Sequence, residues 1–517
     1  MKPRAALVTP PEEFRSVTQF VAEWALLQPD APALRTVGGD VLTYGQFWQE
    51  MLRTREQMRA LGIGPQDRVA AVMHNGPRQA TALFALAAGC VLAPLHPDSP
   101  AEEIRAIIER LDPAAIIGDD SGEPDHASAA AEALDVPVLR MTARDPADPF
   151  GFDLAGEPVG PPADDRPTTL DDLMSIMTTS GTTGRAKLVA QSHSWGGREV
   201  QNVDSDLGLT TVDRTVVLTA IAHSHGRATI MRALRVGSAA IILVTPLLDT
   251  LPRMLIEHDP TWLDLVPAVL SSLVHESAGA GRTLNPSLRF IRSGTARLDP
   301  SLRDRAERIF GIPVVNAYGA SEGGAIASER ALAVGKEDRP LRVIRPLRIV
   351  DGDAPVPDGQ PGEIEVAGIG VFSGYWDDPE ATDRAFTADG WHRTGDRGLL
   401  TDGNLVLLGR VDDVINMSGA KVDPDEVDAQ LLRFPGIVAA ATFAVPHDNK
   451  GQIVAAAVVL EAGLELDRRA LRRWLLARLG PHKVPTTIEV VDELPRTATG
   501  KVLRRDLALR FGDGRER

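Results

Sequence analysis

A single cysteine, Cys90, stands in a chain of 517 residues, which excludes a disulfide framework and any metal site built on thiolates. Extended runs of Lys and Arg are missing too. The net charge is −16, so the basic footprint that a nucleic-acid backbone requires is absent, and nucleic acid is not an expected partner. The acidic excess lies before Asp413, and the remainder is close to neutral. The longest apolar run, Ile453 to Leu460, is far too short to span a bilayer. The opening segment, MKPRAALVTPPEEF, has no apolar signal-peptide core, so a cytoplasmic protein is expected. With 46 Gly and 38 Pro the chain is not of low complexity, and 43% hydrophobic residues leave ample apolar surface to bury.

What is present is a regular pattern. Residues 11–28 carry a helical stripe at Phe14, Val17, Val21 and Trp24. From Thr43 onward, helical stretches alternate with short apolar runs at Val69–Met73, Val91–Leu95, Ala115–Gly118, Thr215–Thr219, Ala239–Val244 and Leu288–Ser293. This alternation predicts α/β architecture, with sheets covered by helices. Between about 340 and 410 the helical pattern disappears, and the turn pairs Asp351-Gly352, Asp358-Gly359, Asp389-Gly390 and Asp402-Gly403 punctuate short strands. A β-rich subdomain is expected there. Beyond Arg410 the pattern resumes on a smaller scale, with strands at Ala439–Val445 and Gln452–Leu460 and a helix at Asp467–Leu479. The expected division is a large N-terminal domain over 1–410 and a small mobile α+β domain over 411–517.

The densest chemical signal is the run Thr178-Thr179-Ser180-Gly181-Thr182-Thr183-Gly184-Arg185-Ala186-Lys187. Glycines let successive N–H groups converge on an anion, hydroxyls add donors, and Lys187 adds a point charge. The same residues also read as a plain Ser/Thr/Gly linker. The spacing is not that of a Walker loop. Further on, Asn316-Ala317-Tyr318-Gly319-Ala320-Ser321-Glu322 brings an aromatic, a hydroxyl and a carboxylate to one strand end, where open α/β sheets bind ligands. Trp391-His392-Arg393-Thr394-Gly395-Asp396 offers a carboxylate for ribose hydroxyls, and Gly409-Arg410-Val411-Asp412-Asp413 lies at the expected boundary. Near the C-terminus, Pro495-Arg496-Thr497-Ala498-Thr499-Gly500-Lys501 places a lysine after a turn. Singly, each has a structural reading: Tyr318 as core, Asp396 as a turn residue, Arg410 and Asp412 as a surface ion pair, Lys501 as solvated.

Together and in this order, these segments resemble the adenylate-forming superfamily of acyl-CoA synthetases, adenylation domains and luciferases, over nearly the whole chain. The resemblance implies ATP-dependent conversion of a carboxylic acid to an acyl-adenylate, then transfer to CoA. ATP, Mg²⁺ and CoA, or a carrier-protein phosphopantetheine, are the implied cofactors. It further implies that Thr179, Ser180, Gly181, Thr182, Thr183, Gly184 and Lys187 hold the β- and γ-phosphates, and that Tyr318 packs on adenine, with Asn316 and Gly319 nearby. Gly294, Thr295 and Ala296 would line the other side of the base, and Ser321 would contact the α-phosphate. Glu322 would bind Mg²⁺, Asp396 and Arg410 would hold the ribose, and Lys501 would be the catalytic lysine. His223, in His223-Ser224-His225-Gly226, matches a His-x-x-Gly segment beside the acyl pocket. Asp412 would be the hinge, and Ser418, Gly419, Ala420 and Lys421 would line a pantetheine tunnel after domain rotation. A monomer or a homodimer is the expected state.

The chain departs from the family pattern in places. Ala186 and Leu188 replace a proline and a glycine of the phosphate loop, Ala220 replaces a proline, Gln452 replaces a glutamate, and Gly335–Pro346 is compressed. None of these removes a catalytic group. Residues 220–231 contain no acid, which argues against an α-amino acid substrate. His225, Arg227 and Arg292 would suit a second carboxylate, yet they read equally as core and strand-end residues, while Gly226, Ala228 and Ala320 would admit a bulky acid. An adenylation enzyme serving an acyl carrier protein and a non-catalytic nucleotide-binding homologue are the competing readings.

Overall fold

The computed structural model describes residues 15–119, 126–179, 186–197, 207–243, 251–280, 286–330, 339–417, 420–447, 451–461, 463–496 and 502–511. Three sheets organise them, of 14, 8 and 5 strands. The 8-stranded sheet has a parallel centre, in which Arg68–Val72 lies between Val91–Leu95 and Ala115–Asp119. These strands are short apolar runs because helices cover both faces; Val91–Leu95 is buried at every position. One edge carries the antiparallel pair Leu173–Thr179 and Lys187–Ser192, with Gly374–Tyr375 beyond it. The helix Tyr44–Ala60 starts where Thr43 and Gln46 form a reciprocal cap, which supplies partners for two otherwise unpaired N–H groups.

The 14-stranded sheet contains a parallel run of Arg214–Val217, Trp262–Leu265, Phe290–Ser293 and Val314–Ala320. Val314–Ala320 has two kinds of neighbour. Its first half, Val314 to Asn316, pairs parallel with Phe290–Ser293, and its second half, from Ala317 on, pairs antiparallel with Gly324–Ser328. Through that strand the β-rich stretch expected between about 340 and 410 joins the parallel strands, its own strands pairing antiparallel with one another. One helix, Pro379–Ala385, does form there, because Asp378 caps Ala381 N–H and Pro379 takes the first helical position.

The helix Ser224–Arg235 is wedged between the two large sheets and is buried from Gly226 to Leu234. Gly226 is required by a close approach: a Cβ there would lie 2.4 Å from the Ala220 carbonyl oxygen. The missing side chain therefore serves backbone packing and does not widen an acyl pocket as expected.

The small sheet is built on the long antiparallel pair Ile437–His447 and Gly451–Leu460, both longer than the predicted runs. The helices Pro424–Leu431, Arg468–Leu476 and Arg504–Phe511 cover it. The mixed α/β class, with a large N-terminal part and a small C-terminal one, agrees with the sequence reading. Among the described residues no helix is long and apolar enough to cross a membrane.

Candidate active site

A cavity of about 1910 Å³ opens where the ends of these sheets meet the small domain. Thr179, Lys187, Thr295, Ala296, Asn316, Tyr318, Gly319, Ala320, Ser321, Glu322, Asp396, Arg410 and Asp412 all line it. So do Arg496 and Val502, which bridge antiparallel to one another and flank the Thr497–Lys501 segment. Ser180, Gly181, Thr182, Thr183, Gly184, Ser418, Gly419 and Lys501 lie outside the described residues. Ala420 and Lys421 belong to a strand of the small sheet.

Each wall residue is held by the strand that carries it. Thr179 and Lys187 face each other in register at the mouth of a hairpin, so the loop between them starts and ends at one point. Tyr318 donates from its hydroxyl to Asp396 Oδ2 at 2.7 Å. Burial, and then the Asp396 charge, raise the phenol well above its usual range, so it remains a donor. Asp396 and Arg410 are register partners, 3.6 Å apart as an ion pair, and the structure pairs Arg410 with Asp396 and not with Asp412. Gly395, at φ +69°, is needed here: a Cβ would lie 2.9 Å from the Arg410 guanidinium. Thr295 adopts φ +70°, an uncommon conformation for a β-branched residue and a local strain of roughly 1–3 kcal/mol at the cavity lip.

Ser321 and Glu322 follow the doubly paired strand. Ser321 Oγ meets Ser224 Oγ at 3.1 Å, and its carbonyl accepts from Gln191 Nε2 at 2.9 Å. Glu322 Oε1 accepts from the Tyr375 hydroxyl at 3.0 Å, and that hydroxyl also receives Lys187 Nζ at 3.3 Å. No described cation forms an ion pair with Glu322, and among the described residues no group of three or more His, Cys, Asp or Glu could hold a metal ion. One carboxylate completed by phosphate oxygens is a ligand set that suits Mg²⁺, so Glu322 fits the implied role.

His223 stands just before the wedged helix, its ring stacked on His96 with centroids 6.0 Å apart. Burial, then the His96 charge, lower its pKa, which leaves a neutral imidazole. Behind the wall lies a charged layer that the sequence only half disclosed. Asp264, fully buried on Trp262–Leu265, accepts from Arg292 Nη1 at 2.8 and 2.9 Å and from Arg232 Nη1 at 2.7 Å. His225 Nε2 lies 3.3 Å from the same carboxylate. Burial would raise Asp264, but the charges of Arg292, His225 and Arg232 outweigh it and hold its pKa at about 2. Burial lowers the His225 pKa, and the Asp264 carboxylate opposes that shift. Thus an acid does reach the His225 region, from a strand distant in sequence, yet its charge is already engaged. Arg227 points to the other sheet, donating to Ser175 Oγ at 2.7 Å and to Gln191, with Trp195 beneath its guanidinium. Gly294 lies beside the layer and just before the cavity residue Thr295: a Cβ there would lie 3.7 Å from Arg292 Nη1 and 3.8 Å from His225 Cε1.

The sequence reading missed Tyr375, His96, Asp264 and Glu329. Glu329 accepts Asn316 N–H at 3.0 Å and is itself held by both Arg303 terminal nitrogens, which fixes the strand that carries Tyr318. A charged residue inside an otherwise apolar strand run, as Asp264 is in Trp262–Leu265, was the available signal.

Residues 21–376 match the AMP-binding enzyme family, and residues 426–501 match the AMP-binding enzyme C-terminal domain. Sulfoacetate–CoA ligase from Cupriavidus necator is 33% identical, covering 96% of this chain and 98% of the relative. Feruloyl-CoA synthase from an Amycolatopsis species is 31% identical over 94% of this chain and 97% of its own. Among solved structures, ATP-bound MatB from Rhodopseudomonas palustris superposes with a TM-score of 0.85 at 27% identity, covering 96% of this chain and 99% of that one.

Proposed function

The chain belongs to the AMP-binding enzyme family and is an ATP-dependent acid–thiol ligase that forms an acyl-CoA, and on that premise we propose how its residues divide the work. The Thr179–Lys187 loop holds the β- and γ-phosphates of ATP, Ser321 the α-phosphate, Tyr318 the adenine, and Asp396 with Arg410 the ribose. The observation that carries this reading is the cavity: both ends of the loop, the Tyr318–Glu322 segment, Asp396 and Arg410 line one space.

In the first half-reaction a substrate carboxylate oxygen attacks the α-phosphorus, a P–O bond to pyrophosphate breaks, and an acyl-adenylate results. The nucleophile is already anionic, so no general base is required. Charge grows on the phosphoryl oxygens, and cations aimed at them lower the barrier. Lys501 supplies one from the small domain, and its described neighbours Arg496 and Val502 at the cavity support that assignment. Mg²⁺ at Glu322 would neutralise phosphate charge. In the second half-reaction the small domain turns about Asp412, and the Ser418–Lys421 segment lines the path of pantetheine. The CoA sulfur then attacks the acyl carbon and AMP leaves.

For the acid itself, the favoured class is one carrying a second anionic group. Arg292 shares its carboxylate with Arg232, keeps a buried Nε without a hydrogen-bond partner, and lies against Gly294, which precedes the cavity residue Thr295. The name of the Cupriavidus relative points the same way. Pyrophosphate release against a panel of carboxylic acids, with CoA present or absent and products identified by mass, tests both levels. An acyl-CoA formed from a dicarboxylate or sulfonated acid supports the full reading. Turnover of aryl acids alone would overturn the substrate class, and an adenylate that ignores CoA would overturn the acceptor.

A further inference from the structure

Lys187 and Glu322 carry opposite charges on the phosphate side of the cavity, yet no ion pair joins them; Tyr375 stands between. Its hydroxyl has one proton and lone pairs, and the geometry uses both kinds: it donates to Glu322 Oε1 at 3.0 Å and accepts from Lys187 Nζ at 3.3 Å. The ammonium also lies 4.7 Å from the centroid of the tyrosine ring. Two neighbouring strands fix this arrangement. Tyr375 pairs with Val189, two residues beyond Lys187, and the Phe372 N–H donates to the Glu322 carbonyl at 2.7 Å. Phe372 also packs edge-on against the Tyr375 ring at 4.9 Å, and Tyr375 N–H donates to Thr382 Oγ1 at 2.9 Å. Tyr375 is only 4% exposed, so it has little freedom to turn away.

We propose that Tyr375 is a positioning residue for the triphosphate, a neutral spacer that bonds Lys187 and Glu322 while keeping them from neutralising each other. Without it, the ammonium and carboxylate would be free to close into an ion pair, and each would be lost to its ligand. With it, one carboxylate oxygen is taken by the hydroxyl and Oε2 is left for Mg²⁺, while the lysine keeps its charge for phosphate. This role rests on the ATP site proposed above.

The test is calorimetric binding of α,β-methylene-ATP with Mg²⁺, and separately of AMP, to the full chain and to Tyr375→Phe. The variant keeps the ring and removes the hydroxyl alone. The magnesium–triphosphate complex should bind roughly 10-fold or more weakly, as losing a hydrogen bond to a charged group implies, with AMP affinity unchanged. Equal weakening of both ligands, or of neither, overturns the positioning role alone. A wild-type chain that binds neither ligand overturns the ATP site and this role with it. A double-variant cycle adds a second check: Tyr375→Phe combined with Glu322→Gln should lose less than the sum of the single losses, and full additivity would count against the proposal.

Discussion

The cavity wall and the charged layer behind it place similar residue types in opposite states. On the wall, Tyr318, Asp396, Arg410, Lys187 and Glu322 are partly exposed, and their contacts are single hydrogen bonds or loose ion pairs. Behind it, Asp264, Arg232 and Arg292 are almost wholly buried and bonded to one another. Charges on the wall can exchange a protein partner for a ligand with little loss. Charges in the layer cannot, because an uncompensated buried ion is penalised by several kcal/mol. One set is therefore organised to exchange partners, while the other keeps its partners and would meet a second anionic group of the substrate only through the guanidinium charge that Asp264 leaves in excess.

Breaking the layer should give the largest effect. Asp264→Asn strands two buried guanidiniums and should destabilise the fold by about 3–5 kcal/mol, read from denaturant midpoints. The wild-type carboxylate also carries a pH signature. Its folded pKa, about 2, lies below the unfolded value, so its contribution is complete above the unfolded pKa and is lost as pH falls through the folded one. The variant should lack that acid-side decline. An Asp264→Asn chain as stable as the parent would erase the distinction between layer and wall.

Next in size, Lys501→Ala should slow pyrophosphate release by roughly 10²- to 10³-fold while still turning over a synthetic acyl-adenylate with CoA. Equal loss in both half-reactions would defeat its assignment to the first. Tyr318→Phe is the mildest probe and the sharpest. It removes the hydroxyl that bonds Asp396 and Thr394, and it should raise KM for ATP by about 5- to 10-fold with an unchanged melting temperature. A shift in Tm as large as that of Asp264→Asn would place Tyr318 with the structural set.

The wall was legible in the sequence because its residues come in contiguous clusters: Tyr318 to Glu322 is one strand end, and Thr179 and Lys187 close one hairpin. The layer was not, because its members are brought together by sheet register: Asp264 meets Arg292 only because Trp262–Leu265 and Phe290–Ser293 align in parallel. Tyr375 escaped for a related reason, its role resting on strand pairing with Val189 and not on its immediate neighbours. Gly226 was read as room for a bulky acid, whereas the nearest atoms are backbone oxygens. Strand positions were close throughout, since period and apolar runs report burial directly, while the merging of the β-rich stretch into the large sheet depends on one strand changing its pairing midway.

That strand, Val314–Ala320, also constrains how the chain folds. Its first half aligns with a strand whose sheet reaches back to Pro32–Thr36, and its second half with a sheet completed only by Asn404–Arg410. The strand's own pairings are local in sequence, whereas Pro32–Thr36 and Asn404–Arg410 join only after long loops have closed. Tyr318 therefore gains its partner Asp396 only when such a closure is made, and nucleotide binding becomes a report that both halves of the large domain have been assembled. A nascent chain halted before Asn404 would hold the Asp264 layer already formed and yet be blind to ATP.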